Sequence, residues 1–216
     1  MGLRFKDFEL VNFGAAFVGL ANKGGDSYEY EPFKMAEFGS QNIKGPLKEK
    51  IGFTVSKDYF ESVGVDHTSF DITGKQGSLA VDLGTELKEY WGQYDMVTNF
   101  YTSEHVKDEY SCFKNMHNFC KLNHPIICAV PRKNSWPGHC YHYYDITFFE
   151  KLSLACNYNI LILREMKRED LPGGGSELRL IDYNNMPHPR VNIQCLLIKT
   201  DDNDFITREE FSELRK

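Results

Sequence analysis

Short apolar runs alternate with amphipathic stretches over most of the chain. Tyr94 to Val106, YDMVTNFYTSEHV, is the stretch around which the others arrange themselves. Asp95 opens it, Met96 and Val97 form an apolar core, and small and polar residues close it, the pattern of a short buried strand. Ser103 then predicts the N-cap of a helix running from Lys107 to Lys121, with Tyr110, Phe113, Met116, His117 and Cys120 near one face. Similar runs predict strands at Phe33–Phe38, Asp66–Ile72, Ser78–Leu83, Ile126–Val130 and Tyr158–Arg164. Helices are expected at Phe5–Leu20, which carries a Gly14 flaw, at Ser56–Val63 with Ser56 as cap and Gly64 as stop, and at Asp145–Cys156. Ala21 to Glu31 reads as a loop.

Near the end, Arg179–Tyr183 and Val191–Lys199 read as two strands with no helix between them, suggesting an antiparallel edge pair. Thr207–Arg215 closes the chain as a helix. Strand and helix alternating from residue 33 to 160 call for a parallel sheet with helices on both faces. No repeat or internal boundary is visible. The expectation is one domain over 1–216: an N-terminal helix or lid segment (1–32), a ligand-binding core (33–165), and a C-terminal hairpin with a terminal helix (166–216).

Composition narrows the function more than the fold. Net charge is -6 and the pI is about 5.7, which argues against a general attraction to nucleic acid or to an anionic membrane. No apolar run reaches the ~20 residues of a membrane span. Six cysteines at 112, 120, 128, 140, 156 and 195 form no CxxC pair, so reduced thiols in a cytoplasmic protein are expected. The opening residues, interrupted by Arg4, Lys6, Asp7 and Glu9, do not read as a signal peptide.

Candidate chemistry sits at strand ends. Glu37, Asp71 and Asp82 each close an apolar run, and in an open parallel sheet such ends lie side by side along one edge. A carboxylate after the second strand can accept hydrogen bonds from both ribose hydroxyls. Glu104 and His105 follow the central strand, and an imidazole with an ordinary pKa near ~6.5 can take a proton from a hydroxyl or amine. The segment GHCYHYYD places His139, Tyr141 and His142 after the fifth strand, where an aromatic cluster suits a sugar ring or flat base. His139-x-x-His142 without nearby partners is too weak a pair to predict a metal site. Asp201 to Phe211 fails as a calcium loop, because Lys199 and Asp204 occupy its obligatory acid and glycine positions. Gly173 to Gly175 has no strand-to-helix setting, so it is a linker and not a phosphate loop.

Glu37-Phe38-Gly39, Asp71, Val81-Asp82-Leu83, Asp95 to Asn99 and Ser103-Glu104-His105 together resemble the successive motifs of class I S-adenosylmethionine-dependent methyltransferases. The resemblance is to small methyltransferase-like proteins in which a segment like YFESVGVDHTSFDITG precedes one like YDMVTNFYTSEHV, and it covers roughly residues 33 to 165. It implies a Rossmann-like α/β fold, with a seven-stranded, mostly parallel sheet ending in an antiparallel hairpin. It also implies S-adenosylmethionine as cofactor. Glu37 and Gly39 would sit by its methionine part, Asp71 and Ile72 by its ribose, and Asp82 and Leu83 by its adenine. Thr98, Asn99 and Phe100 would line the floor near the methyl group. The family's glycine-rich first loop is reduced here to Gly39, with Gln41 and Asn42 able to supply polar side chains instead. Glu104, His105 and His142 are the candidate bases, and a small-molecule or sugar acceptor is expected. A methyltransferase fold serving as a non-catalytic scaffold is the alternative. A nicotinamide dehydrogenase would need a GxGxxG after the first strand, which is absent.

Overall fold

The computed structural model describes residues 2–24, 27–167 and 191–216. Its centre is a seven-stranded sheet. In chain order the strands are β1 (Lys34–Phe38), β2 (Asp66–Asp71), β3 (Leu79–Ala80), β4 (Met96–Phe100), β5 (Pro125–Pro131), β6 (Tyr158–Lys167) and β7 (Val191–Lys199). Their spatial order is β6-β7-β5-β4-β1-β2-β3. β1 pairs in parallel with both β2 and β4, and β4 in parallel with β5. β7 is antiparallel to both of its neighbours, β5 and β6. The antiparallel pair at the edge therefore joins Val191–Lys199 to Tyr158–Lys167. The strand expected at Arg179–Tyr183, and the linker at Gly173 to Gly175, lie outside the described residues.

Helix α1 (Phe5–Phe17) and helix α3 (Ser56–Ser62) cover one face, and α2 (Pro46–Ile51) is a short helix before α3. Helices α4 (Glu109–Phe119), α5 (Ile146–Ala155) and α6 (Arg208–Glu213) cover the other. Alternation along each strand divides the core between the faces. Ala36, Phe38, Val97 and Cys128 point to the α4–α6 side, while Met35, Met96 and Ile127 point to the α1 side. Gly14, a flaw in helix propensity, is needed for packing: a Cβ there would stand 3.1 Å from the Cδ1 atoms of Ile127 and Leu196.

Three local expectations are corrected. Ala21–Gly24 and Ser27–Tyr30 pair as a small antiparallel hairpin where a loop was expected, its apolar signal hidden because most of it is exposed. Ser56 is the first residue of α3 and not its cap; Val55 occupies the cap position, and the Ser56 hydroxyl turns inward to Glu37. Ser103 does not cap α4. Asp108 does, accepting from the Ser111 N–H, and Ser103–His105 forms a separate 3₁₀ turn. No helix among the described residues is long and apolar enough to cross a membrane.

Candidate functional site

The strand order reverses between β1 and β4, so their carboxyl ends diverge and leave a crevice between the loops that follow. A cleft of about 700 Å³ opens there. Gly39 and Gln41 after β1, Asp71 and Ile72 at the end of β2, Asp82 and Leu83 after β3, and His105 beyond β4 all line it. Seven sequence-predicted positions thus meet in one cavity.

The loop after β1 is a tight fit. Gly39 has φ +82°, and a Cβ on it would meet Thr102 Oγ1 at 2.1 Å. Only glycine serves both the backbone and the close approach. The Gly39 N–H donates to the Phe70 carbonyl at 2.7 Å, tying the loop to β2. Gln41 is buried, and its Nε2 donates to the Phe100 carbonyl at 2.7 Å, tying the same loop to β4. Its Oε1 has no hydrogen-bond partner among the described residues. Asn42 is directed elsewhere: its Oδ1 accepts from Gln76 at 2.8 Å.

Glu37 braces this loop from beneath and does not line the cleft. It is fully buried, and its Oε2 accepts from Ser56 Oγ at 2.7 Å, Ser69 Oγ at 3.0 Å and the Gln41 N–H at 3.4 Å. Burial pushes its pKa from 4.5 up to about 8, against those hydrogen bonds, which act to lower it. His67 Nε2 lies 3.8 Å from Oε2, while the ring stacks on Phe60 with centroids 5.6 Å apart. Burial, with help from Lys57, pushes His67 down to about 3. The two therefore face each other as a neutral acid and a neutral imidazole near pH 7.

Asp71 lines the cleft at the end of β2. It accepts from the Thr73 hydroxyl at 2.6 Å, the Thr73 N–H at 2.8 Å and the Ser40 N–H at 3.1 Å. Burial works to raise its pKa, but these bonds outweigh burial and hold the carboxylate below its usual range. Asp82 is exposed at the rim, and its Oδ1 accepts from the Gly84 N–H at 2.8 Å. Leu83 beside it is buried and presents an apolar wall.

At the end of β4 the wall is one step further along than expected. Thr98, Asn99 and Phe100 are fully buried, and Tyr101 and Thr102 line the cleft instead. Tyr101 holds φ +56°, sparsely populated for a non-glycine residue, as the chain turns out of the strand. Asn99 holds the next turn from below. Its amide donates to Ser103 Oγ at 2.8 Å, and its Oδ1 accepts from the Ser103 N–H at 3.0 Å. Ser103 Oγ also shares a 3.0 Å hydrogen bond with the Tyr144 hydroxyl.

That turn carries Glu104 and His105, which point differently. Glu104 is completely buried, whereas His105 is half-buried at the cleft wall. Burial, and then the neighbouring His139, lower the His105 pKa. His142 is outside the cleft: its Nε2 lies 3.0 Å from the Val106 carbonyl, and its Nδ1 3.6 Å from Glu109. His139 meets His105, their ring centroids 5.0 Å apart. Tyr141 is 62% exposed at the cleft mouth. Thr73, Val106 and Asp108 also line the cleft and were missed. Thr73 had a local signal, since Asp followed two residues later by Thr favours a side-chain-bonded turn. The other two lie beyond any strand-end motif.

No family model matches the chain, and no curated protein does either. Solved structures do. The Burkholderia thailandensis 1,6-didemethyltoxoflavin-N1-methyltransferase, with bound 1,6-didemethyltoxoflavin and S-adenosylhomocysteine, superposes with a TM-score of 0.55 at 13% identity, over 91% of this chain and 79% of that one. A Galdieria sulphuraria chain assigned as a sarcosine dimethylglycine methyltransferase gives a TM-score of 0.55 at 14% identity, over 91% and 86%. TehB from Haemophilus influenzae gives a TM-score of 0.51 at 14% identity, over 89% and 62%. The chain has the class I methyltransferase fold: a mostly parallel seven-stranded Rossmann-like sheet with an antiparallel final strand.

Proposed function

We propose that the chain is an S-adenosylmethionine-dependent methyltransferase acting on an oxygen or nitrogen of a small-molecule or sugar acceptor. The observation that carries this reading is the convergence of Gly39, Asp71 and Asp82 on one cleft at the switch point of the sheet. The residues fit the nucleoside. Gly39 lets the loop after β1 close against Thr102 at the cleft wall, and the unpartnered buried Oε1 of Gln41 offers an acceptor to an ammonium group. Asp71, ionised and held rigidly by Thr73 and Ser40, suits a ribose diol, and Asp82 with Leu83 suits an adenine edge and face.

Bound S-adenosylmethionine supplies an activated sulfonium methyl group, so the protein's share is positioning and exclusion of water. Tyr101 and Thr102 close the floor, and Tyr141 at the mouth gives a ring or sugar acceptor an aromatic surface. Among the three candidate bases only His105 faces the cleft, and Glu104 stands behind it.

Calorimetric titration with S-adenosylhomocysteine tests the reading. Wild type should bind. Asp71→Asn should lose roughly tenfold in affinity, about 1.4 kcal/mol, from one charge-assisted contact. Gly39→Ala should lose more, through both strain and collision with Thr102. Wild-type protein that is folded and binds no nucleoside would remove the enzyme reading and leave the scaffold.

A further inference from the structure

Beside the cleft, two loops that follow adjacent parallel strands bring together a carboxylate and two imidazoles. One oxygen of Glu104, one nitrogen of His105 and one nitrogen of His139 all lie within 4.8 Å of one another. Glu104 Oε1 and His105 Nε2 are 4.0 Å apart. His105 Nε2 is buried from solvent and has no hydrogen-bond partner among the described residues. We propose that Glu104, His105 and His139 bind a divalent transition-metal ion at the mouth of the cleft.

The donor set selects the class of ion. Imidazole nitrogens with one carboxylate suit zinc, iron, cobalt or manganese, whereas magnesium and calcium favour all-oxygen shells. Metal–ligand bonds of about 2.0–2.2 Å put tetrahedral ligand atoms roughly 3.3 Å apart, so each side chain need move inward by no more than about an ångström.

The scaffold restricts how far those side chains can stray. Glu104 and His105 are consecutive on the turn that Asn99 fixes. The His139 N–H donates to the Tyr143 hydroxyl at 3.0 Å and to the Trp136 carbonyl at 3.1 Å. The Trp136 ring packs edge-on against the His139 ring with centroids 4.6 Å apart. The loop is pinned to the turn itself, because the N–H groups of Tyr141 and His142 donate to the Glu104 carbonyl at 2.9 and 3.2 Å.

Three protein ligands leave coordination positions open, the arrangement of a catalytic centre and not of a closed structural one. His105 and Tyr141 both border the cleft, so an ion held here would stand against its wall. An acceptor carrying an oxygen or nitrogen donor could complete the shell there and be oriented by the ion. That last role rests on the methyltransferase reading, with His105 then serving as ligand and not as base; the metal site itself does not.

Cobalt(II), added to chelator-treated full-length protein and followed by its visible absorption, with zinc(II) calorimetry in parallel, tests the site. Uptake of a single equivalent is expected. Glu104→Gln and His139→Gln should each weaken it by at least roughly 10- to 100-fold, the cost that even supporting residues around a metal carry. His142→Ala should leave it unchanged. His139 is exposed, so its substitution keeps the test valid should Glu104→Gln fail to fold. Absence of uptake by folded wild type, or uptake indifferent to His139→Gln, would overturn the proposal. S-adenosylhomocysteine titrated into chelator-treated protein reports the nucleoside site separately, so either idea can fall while the other stands.

Discussion

On the α4–α6 face of the sheet Phe38, Phe70, Phe113, Phe119, Phe148 and Phe211 pack ring against ring. On the α1 face the same strands present Glu37, His67, Ser69, Asn192 and Gln194, all buried. Asp7 of α1 accepts from Gln194 Nε2 at 3.0 Å, and Asn192 Nδ2 donates to the Tyr101 hydroxyl at 3.0 Å. Two of these polar groups reach the cleft loops directly: Glu37 through Gln41, and Asn192 through Tyr101. Both faces bury apolar clusters, but the α1 face adds a set of buried polar groups that must be satisfied and that help fix where the strand-end loops stand.

The largest effect should come from breaking the aromatic face. Phe113 contacts Phe148 and Phe211 at centroid distances of 5.5 and 5.6 Å and is 4% exposed. Phe113→Ala should lower unfolding free energy by about 3–5 kcal/mol in urea titration. Nucleoside affinity of the molecules still folded should be unchanged, because Phe113 is not among the residues that line the cleft. A coupled loss of affinity would contradict the division of labour between the faces.

The polar face should instead reveal itself through pH. Glu37 is raised from 4.5 to about 8, so between those values the folded state holds a proton that the unfolded state has released. Stability therefore falls as pH rises through that window. His67 is lowered from 6.5 to about 3, so the unfolded state binds the extra proton and stability falls as pH drops below 6.5. From 4.5 to 6.5 the two slopes oppose each other, and above 6.5 Glu37 acts alone. Across pH 6.5 to 8 the wild type should lose on the order of 2 kcal/mol from this group. Glu37→Gln, which can still accept from Ser56 and Ser69, should abolish that decline and steepen the loss below pH 6.5. Denaturant midpoints measured at several pH values decide it, and identical slopes in both proteins would refute the neutral pair.

The contrast between faces also explains what could be read from sequence. The apolar side was legible because alternation and strand length are local: β7 was bounded correctly as VNIQCLLIK, and β1, β2 and β5 to within a residue or two. Gly39, Asp71 and Asp82 were legible because strand ends carry their own composition. Contacts set by tertiary closure were not. Ser56 and Ser103 have the composition of helix caps, yet their hydroxyls are recruited by Glu37 and by Asn99 with Tyr144. His139 has a nearer sequence partner in His142, but the β4 and β5 loops bring it to His105, 34 positions earlier. No periodicity encodes that meeting.

The smallest effect should come from a charge on the outside of the aromatic face. Arg208 of α6 grips the Asp108 carboxylate through two bonds of 2.7 and 2.8 Å, and Asp108 also caps α4 by accepting from Ser111. The guanidinium, with the Ser111 hydroxyl, holds the Asp108 carboxyl down at about 2. Its depressed pKa gives the opposite sense from Glu37: the stabilisation is present above the ordinary 3.8 and is lost as pH falls toward 2. Arg208 is exposed and Asp108 about a third exposed, so water and salt screen most of the attraction. Arg208→Ala should therefore cost only about 0.2–1 kcal/mol in urea titration at neutral pH, and less in high salt, because Asp108 keeps its cap. A loss as large as that of Phe113→Ala would mean that the bidentate pair, and not the rings beneath it, fastens α6 to α4.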